Sequence, residues 1–361
     1  MKIDNYPVPI ALSEYERAVG IYLDRVKAIP GVISVNTMGS VGAPGLSDID
    51  ILVVVNDDFP SGRSSELNIR GIDNRLFLHG PVVIPHSMAK NLQYIIYASN
   101  INNIYGSSLL PDFEALSPEV IKALSICYLI DFTESRLMQY ADVDAKQTIN
   151  MRAWLTRLWS ITHSASLLKK AGLSLSPNEE SLLKEIKATR SQWLERQEVD
   201  LECFNKAFRN GNALNRLIFE RTLHHLYGDA NPSFKKKSFQ VNNNIKKITF
   251  NDNILAPNYT LKHLQIGSKS MYFYTCKQIP HYAFHLSGYG FLDLGSAEDQ
   301  KLYQHYSVMK KRRQIVYDHK VWISKHVPNA QSMSGYLGLE PYTSYKMKDL
   351  VLRALARMIL R

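Results

Sequence analysis

Two carboxylates separated by a single residue, Asp48 and Asp50, are the side chains best placed to do chemistry in this sequence. They begin a short run of apolar, mostly β-branched residues, which predicts a buried strand. Because side chains alternate along a strand, both carboxylates should point to the same face. Two adjacent anions repel each other, and a divalent cation relieves that repulsion. The pair therefore predicts a Mg²⁺ (or Mn²⁺) site.

A second motif, Gly39-Ser40, stands at the start of a loop rich in Gly, Pro and Ser that ends at Ser47, next to the carboxylates. A glycine lets a phosphate approach the backbone closely, and a serine hydroxyl together with backbone amides can hold phosphate oxygens. We therefore expect Gly39, Ser40 and Ser47 to bind the phosphates of a nucleotide. Phosphate donors beside metal-binding carboxylates are the components that nucleotidyl transfer requires.

The pattern Met38-Gly39-Ser40, a loop, and Asp48-Ile49-Asp50 before an apolar strand resembles the nucleotidyltransferase superfamily that includes DNA polymerase beta. The matching segment lies in residues 1–112. The resemblance implies an enzyme that moves a nucleoside monophosphate from an NTP donor to a small-molecule, glycan-related or protein acceptor. It also implies that Asp48 and Asp50 are catalytic and hold the metal ions. The loop before Asp48 is short for the superfamily.

One expected group is missing from this pattern. Members of the superfamily usually present a third carboxylate from a later strand, as general base or metal ligand. The segment where we expect it, residues 75–84, contains no acid, although Asp73 precedes it and His79 has the inward-facing position. Asp73 and His79 are the candidates for a base, while a turn aspartate and a core histidine are the alternatives. The missing acid also favours a second hypothesis, a catalytically inactive binding protein.

The elements that must position these residues follow from periodicity. Apolar spacing predicts a helix at 12–28, strands at 32–38 and 49–55, further strands at 66–70 and 75–84, and a helix at 87–104. Four helical patterns then occupy 118–141, 146–172, 178–197 and 201–227. The expected fold class is α+β. It combines an N-terminal nucleotidyltransferase-like mixed sheet with helices, a helical middle and a mixed α/β C-terminal region.

The change to helical patterns from Ser117-Pro118 and a linker at Asn231-Pro232-Ser233 suggest three domains, at 1–112, 113–230 and 231–361, the last ending in an amphipathic helix at 344–361. The net charge is +10, and residues 231–361 alone carry 20 Lys and Arg against 7 Asp and Glu. This excess predicts an anionic partner, either nucleic acid, an acidic substrate or a membrane surface. A solvated basic surface is the alternative. A nucleotidyltransferase that acts on nucleic acid is therefore a third hypothesis.

The sequence also restricts the class of protein. Its three cysteines lie far apart, without the spacing of a zinc site or a disulfide framework. The N-terminus lacks the pattern of a signal peptide, and no run of apolar residues reaches the length of a transmembrane helix. We expect a cytoplasmic protein, with a peripheral location at the inner membrane surface as an alternative.

Overall fold

The structure, a computed structural model, describes residues 2–77, 79–227, 233–234, 238–239, 246–249, 259–266, 269–276, 292–293 and 302–328. These residues form a mixed α/β protein. The strands are β1 Lys2–Asp4, β2 Val32–Met38, β3 Asp50–Val55, β4 Val82–Pro85, β5 Asn102–Gly106, β6 Thr148–Asn150, β7 Ser233–Phe234, β8 Ser238–Phe239, β9 Lys246–Thr249, β10 Tyr259–Ile266, β11 Lys269–Cys276 and β12 Leu292–Asp293. The α-helices are α1 Leu12–Val26, α2 Leu92–Ile95, α3 Pro118–Lys146, α4 Met151–Lys170, α5 Pro177–Arg196, α6 Leu201–Tyr227 and α7 Leu302–His326. Short 3₁₀ helices occupy Ser61–Leu67, His86–Asn91 and Phe113–Ala115.

A four-stranded sheet of order β4-β3-β2-β5 contains the predicted motifs. β3 pairs antiparallel with β2 and parallel with β4, while β5 pairs antiparallel with β2. The sheet is therefore mixed, as the sequence predicts. Elsewhere, β10, β11, β9 and β8 form a second four-stranded sheet in that order, and β12 pairs with β7.

Strand β3 is buried on both of its faces. Alternate side chains of β3, at Ile51, Val53 and Val55, pack with Tyr22 and other residues of α1. The intervening side chains pack in a different apolar cluster, whose buried members are Leu52, Val54, Val82, Ile84, Ala89, Leu92, Ile95, Ala98 and Val316. A strand covered on both faces has a continuous apolar sequence, and the apolar run of β3 therefore predicts a buried strand.

Helix α7 covers the edge of this sheet at β4. Its side chains donate hydrogen bonds to backbone carbonyls of the N-terminal segment: His319 to Val83 (2.8 Å), Trp322 to Asp57 (2.8 Å), His326 to Phe59 (2.9 Å) and Arg312 to Tyr94 (3.2 Å). An open strand edge presents unpaired backbone groups. Of the four carbonyls, only that of Val83 belongs to β4, so α7 bonds the edge strand at one residue and adjoining segments at the other three.

The described residues divide into two compact units, each built from separate segments of the chain. One contains the residues up to Leu129, then Ile149–Leu214, and the described residues from His305 onward. The other contains Ile130–Thr148 and the described residues between Asn215 and Gln304. The proposed boundaries at 112 and 230 stay a prediction. The predicted helix at 344–361 lies outside the described residues.

Several predicted elements are confirmed, and two of the helices begin with a side-chain cap. The helix at 12–28, the strands at 32–38 and 49–55, and the four helices of the middle segment all occur, with ends shifted by a few residues. Helix α5 begins with a capping box, in which Ser176 and Glu179 bond each other's backbone amides, and Pro177 takes the first turn. In α4, the Asn150 side chain accepts from the Ala153 amide.

The predictions for residues 66–104 are wrong in three places. Residues 66–70 form no strand, because the Asn68 side chain accepts from the Arg70 amide and turns the chain. The strand predicted at 75–84 is present only in β4. The helix predicted at 87–104 ends at Ile95, because the buried Gln93 side chain bonds both backbone groups of Ala98 and stabilises a turn. Residues 102–106 then pair with β2 as β5.

Along the described residues, no helix combines the length and the apolar character that crossing a bilayer requires.

Candidate metal centre

Three segments bring the site together at one end of the sheet. In the β2–β3 pairing, Met38 lies opposite Asp50, so Gly39 and Ser40 leave β2 beside the residues that lead into β3. β4 runs parallel to β3, and His79 precedes β4 by three residues. The predicted phosphate-binding motif and the carboxylates therefore lie on neighbouring segments, and His79 joins them from the next segment.

Asp48, Asp50 and His79 form a cluster at this end of the sheet. His79 Nε2 lies 2.8 Å from Asp50 Oδ1 and 3.5 Å from Asp48 Oδ2. One ligand atom from each of the three side chains lies within 4.8 Å of the other two. The side chains are 17% (His79), 19% (Asp48) and 34% (Asp50) exposed, so the cluster is partly enclosed and still open to solvent.

The electrostatics of the cluster reflect two anions and one base at short range. Burial raises the pKa of Asp48 to about 6, with a further contribution from the Asp50 charge, while the His79 charge opposes the shift. Burial lowers the pKa of His79, but the hydrogen bond and charge of Asp50, the Gly80 carbonyl and Asp48 together raise it to about 9. Without a metal, a protonated His79 thus supplies the cation that the carboxylates need.

The loop before Asp48 is a packed turn. Ala43, Gly45, Leu46 and Ser47 are buried. Tyr15 of α1 donates from its hydroxyl to the Ser47 carbonyl (2.8 Å) and accepts from the Gly45 amide (3.0 Å). From α4, the Thr156 hydroxyl donates to the Leu46 carbonyl (3.0 Å). The carboxylates are therefore positioned by helices on both sides of the turn.

Glycine is required in this turn. Gly45 has φ +89°, and a Cβ there would lie 2.4 Å from the Val8 carbonyl oxygen. Gly39 also has positive φ, at +70°, but a Cβ there would meet nothing within 4 Å. Gly39 and Ser40 are exposed beside the cluster, which leaves room for a ligand at the end of β2.

Ser47 is placed differently from the other predicted phosphate-binding residues. Its hydroxyl accepts from the Ala43 amide (3.1 Å) and from the Arg190 guanidinium of α5 (3.5 Å). The guanidinium also lies over the Trp159 ring, 4.3 Å from its centre. Ser47 thus connects the turn to α5, and this structure gives it a positioning role.

The two candidates for the base differ in location. Asp73 lies outside the cluster and is ion-paired with Arg75, which lowers the pKa of Asp73 through hydrogen bonding. His79 lies inside the cluster, at the place where we expected a third acidic ligand. The structure therefore brings Asp48, Asp50 and His79 together and leaves Asp73 apart.

The donor set fits a divalent cation. Carboxylate oxygens are hard ligands, and an imidazole nitrogen binds metals in its neutral form. In this cluster, they converge from two segments, the residues that lead into β3 and those that precede β4. Their spacing allows all three to contact one ion.

Residues that support the turn were missed by sequence reasoning. Tyr15 and Thr156 lie 32 and 110 positions from the carbonyls they contact. In the sequence, Tyr15 is one of the apolar residues whose helical spacing predicts α1. Its hydroxyl shows its role only once the fold places it beside Ser47.

No protein-family model matches the chain, and neither curated proteins nor solved structures show a match to it.

Proposed function

We propose that the chain is a divalent-cation-dependent nucleotidyltransferase that moves a nucleoside monophosphate from an NTP to a small-molecule, glycan-related or protein acceptor. One observation carries this proposal. Asp48 and Asp50 lie at one end of a mixed sheet, beside the exposed Gly39-Ser40 corner, so residues suited to a metal and to a phosphate are neighbours. The N-terminal resemblance to the nucleotidyltransferase superfamily supports the same function.

In this proposal, each residue has a definite task. Asp48 and Asp50 hold Mg²⁺ or Mn²⁺, which supplies charge neutralisation for the triphosphate when bound. Gly39 admits the phosphates to the backbone, and Ser40 donates to their oxygens. Ser47 keeps Asp48 in position through the turn. An acceptor hydroxyl or amine attacks the α-phosphorus, forming one bond as the bond to pyrophosphate breaks, and its proton is lost to solvent.

Neither Asp73 nor His79 is placed to act as a general base for the acceptor. Asp73 is paired with Arg75 away from the cluster. Both ring nitrogens of His79 are engaged inside the cluster, Nε2 with the carboxylates and Nδ1 with the Gly80 carbonyl (3.0 Å). His79 therefore acts on the cation site and not on an incoming acceptor.

The decisive experiment is a thermal-shift panel of ATP, GTP, CTP and UTP, each with Mg²⁺ or Mn²⁺. The wild type is compared with the double variant Asp48→Asn/Asp50→Asn. A ligand that binds only the folded state stabilises it by about 2.7 kcal/mol at a hundredfold excess over Kd. We expect a cation-dependent shift for one nucleotide in the wild type and none in the double variant.

Asp73→Asn is the matched control, because it removes a nearby carboxylate outside the cluster. It should keep the nucleotide shift. Equal shifts in the wild type and the double variant would overturn the proposed site. Absence of any shift in the wild type would overturn nucleotide binding itself.

The second candidate is an inactive nucleotide-binding module, and the imidazole in place of a third carboxylate favours it. Pyrophosphate release separates the two candidates. A nucleotide shift with pyrophosphate release supports the transferase. A shift without release, across a panel of acceptors, supports the binding module.

A further inference from the structure

The orientation of His79 points to a role beyond balancing charge. Its Nδ1 lies 3.0 Å from the Gly80 carbonyl oxygen. A carbonyl can only accept a hydrogen bond, so Nδ1 carries the hydrogen. In the neutral ring, Nε2 is then the bare nitrogen, and it is the atom that faces Asp48 and Asp50. A backbone carbonyl that fixes the remote nitrogen is the arrangement that orients histidine ligands in metal sites.

The resulting donor set has two oxygen ligands and one nitrogen ligand. Mg²⁺ takes oxygen ligands in near-octahedral geometry and keeps its waters. Imidazole is a ligand for first-row transition metals, and Mn²⁺ also accepts carboxylates. A site with three carboxylates would carry one more negative charge and suit Mg²⁺ better. Replacing the third acid by His79 therefore changes which cation the site prefers.

We propose that Asp48, Asp50 and His79 form a mixed oxygen–nitrogen site that selects a first-row transition divalent cation, represented by Mn²⁺, over Mg²⁺. This inference deepens the proposed function and rests on its cation site, although not on the identity of the nucleotide. The ligand atoms are one oxygen from each carboxylate and His79 Nε2, all within 4.8 Å of one another.

The alternative is that His79 only neutralises the two carboxylates and leaves when a cation binds. The two roles predict opposite effects of removing the ring. A ligand contributes affinity for Mn²⁺, so His79→Ala weakens Mn²⁺ binding. A competing positive charge opposes the cation, so the same variant would strengthen it.

The test uses the full-length protein and metal ions alone. Mn²⁺ is titrated by EPR, and Mg²⁺ then competes for the bound Mn²⁺. In His79→Ala, Mn²⁺ affinity should fall by about tenfold or more. In His79→Asp, which restores three carboxylates, the preference for Mn²⁺ over Mg²⁺ should also fall by about tenfold or more.

Pulsed EPR of Mn²⁺ bound to the wild type needs no variant, so it decides the matter even if the variants fail to fold. Coupling of the manganese to an imidazole nitrogen supports the proposal, and its absence overturns it. An unchanged preference in a folded His79→Asp protein would overturn it as well.

The cation measurements contain no nucleotide, so failure here is distinct from failure of the proposed function. If the wild type binds Mn²⁺ through nitrogen but shows no thermal shift with any nucleotide, the metal site is supported and the proposed transferase is rejected. If a nucleotide shift depends on Mg²⁺ and no nitrogen coupling is seen, the transferase is supported and the proposed preference for Mn²⁺ is rejected.

Discussion

Tyr15 shows how one side chain can hold a functional turn. Its hydroxyl bonds the Ser47 carbonyl and the Gly45 amide, and both partners lie in the buried turn that precedes Asp48. Tyr22, two turns further along α1, donates to the Leu67 carbonyl (2.9 Å), away from the turn. Both hydroxyls are buried and bonded to backbone, but only one supports the candidate metal centre.

We expect Tyr15→Phe to destabilise the protein by about 1–3 kcal/mol, because a buried amide and a buried carbonyl lose a partner. The same change should weaken Mn²⁺ or Mg²⁺ binding severalfold, since the carboxylates lose their support. Urea unfolding and cation titration measure the two effects. Tyr22→Phe is the matched control. It should also lower the free energy of unfolding, but its affinity for the cation should equal that of the wild type. Equal cation affinities in the two variants would contradict the positioning role of Tyr15.

At the scale of the element, sequence periodicity was reliable where packing is local. Helix α1, strands β2 and β3 and the helices of the middle segment follow from their own residues. Residues 66–104 depend instead on side chains such as Gln93, whose bonds to Ala98 and Pro111 replace a helical continuation. The carboxylate pair was visible in the sequence because its members are two positions apart, although only Asp50 belongs to β3 and Asp48 lies just before that strand. The contact of His79 with that pair depends on how β4 aligns beside β3, which the sequence does not specify.

Helix α7 provides a prediction of pH dependence. Burial lowers the pKa of His319 to about 4, partly offset by its bond to the Val83 carbonyl, and the Lys320 charge adds to the lowering. The pKa of His319 is therefore lower in the folded state than the value of ~6.5 expected in the unfolded state. Because the unfolded chain binds a proton first, the free energy of unfolding is highest above pH ~6.5 and decreases as the pH falls towards 4. Between pH 7.5 and pH 5, the loss should be about 2 kcal/mol.

His319→Gln isolates this effect, because an amide can still donate to Val83 and does not titrate. Chemical denaturation at pH 7.5 and pH 5 should show a smaller loss of stability in the variant than in the wild type. If both lose the same amount, acid destabilisation has another origin and His319 is not responsible.

At the scale of the whole molecule, not every residue that contributes to the net charge of +10 lies on the surface. Lys310, Lys311, Arg312 and Arg313 form a basic cluster in the sequence, yet only part of it faces solvent. Arg312 is 3% exposed, and its guanidinium lies 4.6 Å from the centre of the Tyr128 ring. Lys310 and Lys311 are exposed. One helix therefore uses adjacent basic residues for internal packing and for the surface.

This division predicts different outcomes for substitutions within one cluster. Arg312→Ala should cost about 2–4 kcal/mol in unfolding free energy, because it removes a large side chain from a packed interior. Lys310→Ala should leave stability within ~0.5 kcal/mol and reduce the salt-dependent binding of a polyanion such as heparin. Thermal melting measures the effect on stability, and heparin binding at several salt concentrations measures the effect on the basic surface. A stable Arg312→Ala protein would contradict the packing role.

The cover of β4 by α7 has a consequence for synthesis on the ribosome. Val83 and His319 are 236 positions apart, so the edge of β4 emerges long before the helix that covers it. At about 5–20 residues per second, that edge waits at least roughly ten seconds for its partner. During this interval, the nascent chain exposes a strand able to pair with other chains, and chaperones that hold unfinished sheets have time to bind it. The candidate metal centre thus lies in a sheet whose β4 edge is covered only by a helix synthesised more than two hundred residues later.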